Sequence, residues 1–514
     1  MKNQFSITKF CALFLLLCLT IQTFAQSSEI RLPVKREETP ETWRRDGLAA
    51  IERSKNLDFK RRKAKNVILF VGDGMGITSL TAARILEGQM RGESGEENLL
   101  SFEQFPFSAL SRTYSVNQQT SDSAPTMSAI ITGLKTDEGI ISVNQNVVHN
   151  DYKTVKGNEA MSLLEMAEQQ GKSTGIVTTA RLTHATPAAC YAHTANRNWE
   201  SDNDIFNHAK DAYDANFPDI ARQLIEFPYG DGLEVAMGGG RTMFLPNDFS
   251  DPEYPQTKGV RRDGRNLTEE WQKKFSDGEF IWNRQQFDGV DPKKSKHLLG
   301  LFEPSHMKYE HDRPKDKAGE PSLSEMTAKS IDILSNNKKG FFLMVEAGRI
   351  DHAHHEGNAF RALRDAIELS NAVRTAQNKV NLKDTLIIVT ADHSHTMSFS
   401  GYPARGNNIL GLVYEVVENG KFSETPSTDA NKKPYTTLNY ANGRGYRKER
   451  PSLMQEQVTN PDYKQEAAIP KLDETHGGED VGIFAIGANA WMIHGVMEQN
   501  WIFYVMQEAL QLKK

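Results

Sequence analysis

Three short apolar runs, each ending in acidic or imidazole side chains, constrain this chain more than any other feature. The run 66–71 is rich in β-branched and aromatic residues and leads to Asp73. The run 340–345 leads to Glu346, Asp351 and His355, and the run 385–390 leads to Asp392 and His393. Continuous short apolar runs without polar alternation predict strands buried on both faces, as in a parallel sheet with helices on either side. Open sheets of that kind place ligands in the crevice beyond the carboxyl ends of their strands. The chain punctuates the first of these ends with Gly72, Gly74 and Gly76, which allow a sharp turn and close approach of a ligand.

Helical patterns separate the strands. Residues 81–89, 159–170 and 322–334 read as helices, the last opened by the capping box Ser322 and Glu325. Phe360, Leu363 and Ile367 mark one face of another. Further apolar runs at 173–178, 233–237 and 481–486 read as strands, the last followed by a terminal helix. This alternation predicts an α/β fold: a doubly wound, mostly parallel central sheet flanked by helices. Thr39 and Pro40 open a helix over 39–54 whose apolar side carries Trp43, Leu48 and Ile51. Residues 398–474 are rich in Gly, Asn, Tyr and charge and read as an inserted, loop-rich subdomain. The 514 residues suffice for one large domain with insertions or for two or three ordinary ones. We read 26–514 as one domain that includes the 39–54 arm and the 398–474 insertion.

Lys2 and Lys9, an apolar stretch over 10–21 and Ala25 ahead of Gln26 form a secretory signal peptide over 1–25. The stretch is too short to span a bilayer, which takes about 20 residues. The protein is therefore expected to be exported, to the periplasm or beyond, with no stable membrane anchor in the mature chain. Cys11 and Cys18 leave with the leader, so only Cys190 remains and no disulfide within the chain is expected. The net charge of −6 gives no support to a nucleic-acid-binding role.

Asp73, Asp351, His355, Asp392, His393 and His476, with Glu346, form a donor set of mixed carboxylate and imidazole, the chemistry that suits zinc. Oxygen-only subsets of it suit magnesium. Asp351 and His355 are four apart, so one helical turn aims both at one ion. Ser123 stands at the start of a predicted helix, where free backbone N–H groups and the helix dipole favour a phosphate.

At these residues the chain resembles alkaline phosphatase, over nearly the whole mature length. Asp122-Ser123-Ala124 matches the family's nucleophile motif. Asp73, the stretch from Glu346 to His355, the stretch from Ala391 to His395 and that from Thr475 to Asp480 match its metal motifs in order and spacing. The resemblance implies a phosphomonoesterase of broad specificity and alkaline optimum that passes through a phosphoserine on Ser123, with Arg197 gripping the phosphoryl group. It implies two zinc ions and one magnesium: one zinc on Asp351, His355 and His476, the other on Asp73, Asp392 and His393, and magnesium on Asp73, Thr186 and Glu346. His184 and His352 are then expected behind these ligands. A candidate calcium site falls on the Phe302 carbonyl, Glu303 and Glu320, with a fourth position at Asp214 or Ala215. The 398–474 insertion resembles the family's crown and the 39–54 helix its N-terminal arm, which together imply a homodimer. Pro125 departs from the pattern, as does the lack of disulfides. Competing readings are a phosphodiesterase or sulfatase on the same metal scaffold, a non-catalytic metal- or phosphate-binding protein, and an adhesion module built on the insertion.

Overall fold

A computed structural model describes residues 31–34, 38–59 and 61–513; the predicted leader over 1–25 lies outside the described residues. Ten strands form one sheet: β1 (Asn66–Gly72), β2 (Phe107–Arg112), β3 (Ser173–Arg181), β4 (Val235–Gly239), β5 (Glu279–Ile281), β6 (Leu298–Leu301), β7 (Phe341–Ala347), β8 (Thr385–Ala391), β9 (Val481–Gly487) and β10 (Val496–Glu498). Their order is β10-β2-β9-β8-β1-β7-β3-β4-β6-β5. β9 pairs antiparallel with both its neighbours, and every other pairing is parallel.

β1 shows why the sheet is double-faced. Val67, Leu69 and Val71 pack on one side against Met127 and Ile130 of the helix Ser123–Thr132, Leu163 of Leu163–Gln169 and Phe503 of Trp501–Leu510. Ile68 and Phe70 point the other way, toward Leu80 of Ile77–Met90, Met326 of Leu323–Leu334 and Leu363 of Ala359–Lys379. All five strand residues are fully buried. At roughly 1.5–3 kcal/mol per buried large apolar side chain, these two layers outweigh any contribution from surface ion pairs.

The capping box forms as expected: Ser322 accepts from the Glu325 amide, and Glu325 accepts from that of Ser322. Several strands differ from the sequence reading. β10 is an edge strand of three residues and β2, next to it, alternates buried and exposed residues, so neither carries an apolar run. β10 also follows the strand expected to be last. Glu346 falls inside β7, not past its end.

The insertion holds a three-stranded sheet of Met397–Phe399, Leu438–Gly443 and Ala467–Pro470 amid loops. The arm is a helix over Pro40–Lys55, and Thr39 accepts a hydrogen bond from the Thr42 amide. Its Leu48 and Ile51 face solvent, 62% and 55% exposed, so these two side chains are not packed on the body of the same chain.

One buried contact makes folding sensitive to pH. Glu168 accepts from Thr174 Oγ1 at 2.5 Å, while the Thr174 amide donates to the neighbouring Glu234 at 2.6 Å. Burial, reinforced by the Glu234 charge, raises Glu168 from 4.5 to about 9. A carboxyl with a raised pKa in the folded state loses stability between its unfolded and folded values, here from about pH 4.5 to about 9. Glu168→Gln, which mimics the protonated group, is expected to melt higher than the parent at pH 8–9 and to converge with it near pH 5. Thermal unfolding across that range checks this, and a pH-independent offset would contradict it.

Candidate active site and metal centre

The carboxyl ends of β1, β8 and β7 lie side by side, and the ionisable groups converge beyond them. β1 runs into Asp73. β8 ends one residue before Asp392 and His393. β7 supplies Glu346 and is followed by the helix Arg349–His355, which aims Asp351 and His355 the same way. Close approach depends on Gly74, at φ 68°, where a Cβ would lie 2.4 Å from the His395 ring. Asp122 caps the helix Ser123–Thr132 by accepting from the Ala124 amide at 2.6 Å, which makes Ser123 the first helical residue rather than the cap. Pro125 sits in the first turn, where a missing N–H is tolerated.

A first cluster joins Asp351, His355 and His476. Asp351 Oδ1 is 3.3 Å from the Nε2 of each histidine, and the two Nε2 atoms are 3.1 Å apart. His355 Nδ1 donates to the Glu474 carbonyl at 2.6 Å and His476 Nδ1 to the Ser121 carbonyl at 2.8 Å. With the proton on Nδ1, both Nε2 atoms carry lone pairs, and these face each other and a carboxylate. A cation between them reconciles that geometry.

A second cluster joins Asp73, Asp392 and His393, all fully buried. His393 Nε2 lies 3.5 Å from Asp73 Oδ1, 3.4 Å from Asp392 Oδ2 and 3.1 Å from Ser123 Oγ. Ser123 Oγ is also 3.4 Å from Asp73 Oδ1. Asp392 is held from behind by the Gly74 amide at 3.0 Å. The His393 and His476 rings stack with centroids 3.7 Å apart, so the two clusters adjoin.

A third gathering is marked by buried atoms without partners: Asp73 Oδ2, Glu346 Oε1, Thr186 Oγ1 and His184 Nδ1. Oxygen and nitrogen atoms of Asp73, Glu346 and His184 lie within 4.8 Å of one another. Thr178 satisfies the other Glu346 oxygen. Buried polar atoms are rarely left orphaned, and here the orphans share one spot. His184 thus stands among the donors, nearer than the sequence reading placed it. His352 stands farther out, accepting from Arg349 at 3.1 Å and packed on His184 with centroids 5.4 Å apart.

The electrostatics point the same way. Burial, then the Asp392 charge, pushes Asp73 well above the carboxylate range. Burial raises Asp392 and brings Glu346 to about 7. For Asp351, burial acts upward but is outweighed by His355, His395 and His476, which hold it low. His393 is pushed down by burial and by His476. The protein alone supplies too little positive charge for its carboxylates, so the donor set and its orphaned atoms fit resident metal ions.

Arg197 lies at the same spot. Its Nη1 is 3.3 Å from Asp122 Oδ1 and its Nη2 is 3.1 Å from His184 Nε2. A cavity of about 780 Å³ opens onto Asp122, His355 and His476 and is walled by Gln118, Thr120 and Lys471. Sequence reasoning passed over His395 and Glu474. His395 bridges Asp351 Oδ1 at 2.7 Å and Glu474 Oε2 at 2.5 Å, both contacts buried. The only signal for His395 was its place two residues after His393. The candidate calcium residues Phe302, Glu303 and Glu320 lie apart from this centre; Glu303 and Glu320 gather around Lys308.

A family model described as alkaline phosphatase matches residues 64–512. The chain is 43% identical over 496 residues to the tissue-nonspecific alkaline phosphatase of Gallus gallus, covering 94% of this chain and 92% of that protein. It is likewise 43% identical over 487 residues to the alkaline phosphatase of Gadus morhua, covering 92% and 98%. Among solved structures it is similar to the alkaline phosphatase of Thermus thermophilus, with a TM-score of 0.63 at 22% identity over 88% of this chain and 92% of that one. It is also similar to that of the Antarctic bacterium TAB5, with a TM-score of 0.59 at 20% identity over 88% and 100%.

Asp73 faces two of the three clusters and Thr186 only one. Asp73→Ala is therefore expected to lose two metal ions per chain and Thr186→Ala at most one, read as metal content after dialysis of the purified variants. Equal losses would contradict this division of the donors.

Proposed function

Because this chain belongs to the alkaline phosphatase family, we propose that it hydrolyses phosphate monoesters to alcohol and inorganic phosphate through a covalent phosphoserine on Ser123. The observation that carries this reading is the position of Ser123. Its hydroxyl is buried at a helix start, 3.1 Å from His393 and 3.4 Å from Asp73, with Arg197 held beside it by Asp122.

The residues divide the work. The helix start turns free backbone N–H groups toward an incoming phosphoryl group. Arg197 offers a planar fork of donors that matches two phosphoryl oxygens, and Asp122 and His184 fix its orientation. Asp351, His355 and His476 would hold one zinc ion, and Asp73, Asp392 and His393 the other. Asp73, Glu346 and Thr186 would hold magnesium, with the unpartnered His184 Nδ1 beside them. When bound, such ions offset negative charge on the attacking and departing oxygens of an in-line displacement. In the first half-reaction the Ser123 Oγ–P bond forms as the ester P–O bond breaks and the alcohol departs. In the second, water displaces Ser123 and inorganic phosphate leaves. His395 and Glu474 keep Asp351 oriented throughout. Broad specificity is consistent with a cavity open to solvent, in which the phosphoryl group meets most of the fixed donors.

Assembly and location follow from other features. The leader supports export, and Cys190, buried and free, is compatible with an oxidising compartment without needing a disulfide. No helix among the described residues is long and apolar enough to cross a membrane. A homodimer is supported by the exposed Leu48 and Ile51 on the arm and by Tyr402, Ile469 and Leu472 on the insertion, 83%, 57% and 89% exposed.

Ser123→Ala is expected to lower monoester turnover at least about a thousandfold while leaving metal content unchanged. Steady-state rates on an aryl phosphate, paired with metal analysis, check this. Turnover near that of the parent would overturn the assignment of Ser123.

A further inference from the structure

Arg197 reaches the start of the Ser123 helix through Asp122, yet the two residues come from different segments, and one histidine ties those segments together. Arg197 ends a short antiparallel ladder. Its amide donates to the Gly139 carbonyl at 2.8 Å, and Ile141 and Thr194 exchange two backbone hydrogen bonds of 3.1 Å. At the other end of the ladder the His193 ring reaches across, with Nδ1 2.7 Å from the Ser142 carbonyl. On its far side Nε2 lies 2.8 Å from Oε1 of the buried Glu165. The second Glu165 oxygen is already taken by the Ser162 amide at 2.7 Å, in the capping box of the helix Leu163–Gln169. Gln223 brackets the backbone of His193, accepting from its amide at 2.9 Å and donating to its carbonyl at 3.3 Å.

Ser142 continues the link to the Ser123 helix. Its amide donates to Ser128 Oγ at 2.8 Å, and Ser128 Oγ donates to the carbonyl of Ala124, the residue after Ser123, at 2.7 Å. The Ser142 hydroxyl donates to the Ala189 carbonyl at 2.6 Å, and the Ser142 carbonyl also accepts from the Ala160 amide at 2.9 Å. Ser142 is fully buried at φ 46°, in the left-handed region that residues other than glycine rarely adopt. Such a conformation persists only where the surroundings over-determine it, and here the amide, hydroxyl and carbonyl are all held.

We propose that His193 is a positioning residue, locking the Arg197 segment to the Ser142 turn and through it to the Ser123 helix, a role that rests on the phosphoryl-transfer reading of Ser123 and Arg197. Both ring nitrogens face oxygen acceptors. A carbonyl cannot donate, so Nδ1 carries a proton, and Nε2 and Glu165 Oε1 share a second one. Burial acts to lower the His193 pKa, but the hydrogen bond and charge of Glu165 outweigh it and hold the ring above the usual histidine range. His193 lines neither the cavity beside Ser123 nor any of the three donor clusters, so it acts only through the backbone it holds.

A double-mutant cycle on the whole, metal-loaded protein tests this, with inorganic phosphate as the probe and its inhibition constant as the readout. His193→Gln keeps a donor near Glu165 and loses the one to Ser142. It is expected to raise the inhibition constant at least about fivefold while metal content stays unchanged. His193→Asn, which returns a donor to the Nδ1 position, is expected to recover about half of that loss or more. On an Arg197→Ala background the same His193→Gln change is expected to alter the constant less than about twofold, because the group it positions is gone. A residue that only stabilises the fold would lower the melting temperature and leave the two losses additive. Should His193→Gln not fold, Ser128→Ala, which cuts the link to Ala124, takes its place in the cycle with the same expected non-additivity. Additive losses overturn the proposal. So does a parent-like constant in His193→Gln, or an equal loss in His193→Asn, when Arg197→Ala raises the constant. A parent-like constant in Arg197→Ala itself overturns the phosphoryl-binding role of Arg197 and this proposal with it.

Discussion

The site depends on one electrostatic arrangement: carboxylates and imidazole lone pairs driven together at the carboxyl ends of three adjacent parallel strands. His355 and His476 donate their Nδ1 protons to backbone carbonyls and so turn two Nε2 lone pairs toward each other and toward Asp351. Such a contact is repulsive unless something positive sits within it. The surrounding scaffold is correspondingly stiff. β1, β7 and β8 are buried on both faces, so the backbone positions from which Asp73, Glu346 and Asp392 project are fixed by packing, not by the charges themselves.

Three groups of buried carboxylates are met in different ways. At the catalytic centre they remain short of positive charge, and the orphaned atoms of Asp73, Glu346, Thr186 and His184 mark where ions belong. Beside Glu303 the chain places a cation of its own, Lys308, at 2.9 Å. At Glu168 there is none, and burial beside Glu234 favours the protonated acid. The differences follow from what surrounds each group: histidines and a crevice open to solvent in the first, a lysine entering from the surface in the second, and a sealed helix–strand contact in the third. Arginine adds a fourth pattern. Arg197 is held by Asp122 and His184 yet remains beside Ser123, so its charge is oriented rather than spent.

Much of this was legible in the sequence because it rested on local rules. The central strands were legible as uninterrupted apolar runs, and the helix Leu323–Leu334 from its capping box. The convergence of Asp73, Asp351, His355, Asp392 and His393 followed from their shared position at strand ends. What escaped depended on tertiary context. β2 alternates buried and exposed residues, and the edge strands β10 and β5 have only three residues each. His395 and Glu474 act through Asp351, and nothing in their own neighbourhoods tells a positioning histidine from a buried structural one. Lys308 lies inside a stretch whose resemblance implied calcium, and only its side-chain path brings it onto Glu303. The exposed apolar side of the arm, Leu48 and Ile51, was readable as apolar, but its partner was not.

The central claim is that the phosphoryl group passes through Ser123. The most direct test is to mix the metal-loaded protein with excess aryl phosphate monoester, quench in acid during turnover, and map the modified peptide by mass spectrometry. The account predicts a phosphoryl group on the peptide carrying Ser123, and none when the matching phosphate diester replaces the monoester. Turnover with no phosphorylated peptide, or a phosphoryl group on another residue, would contradict it.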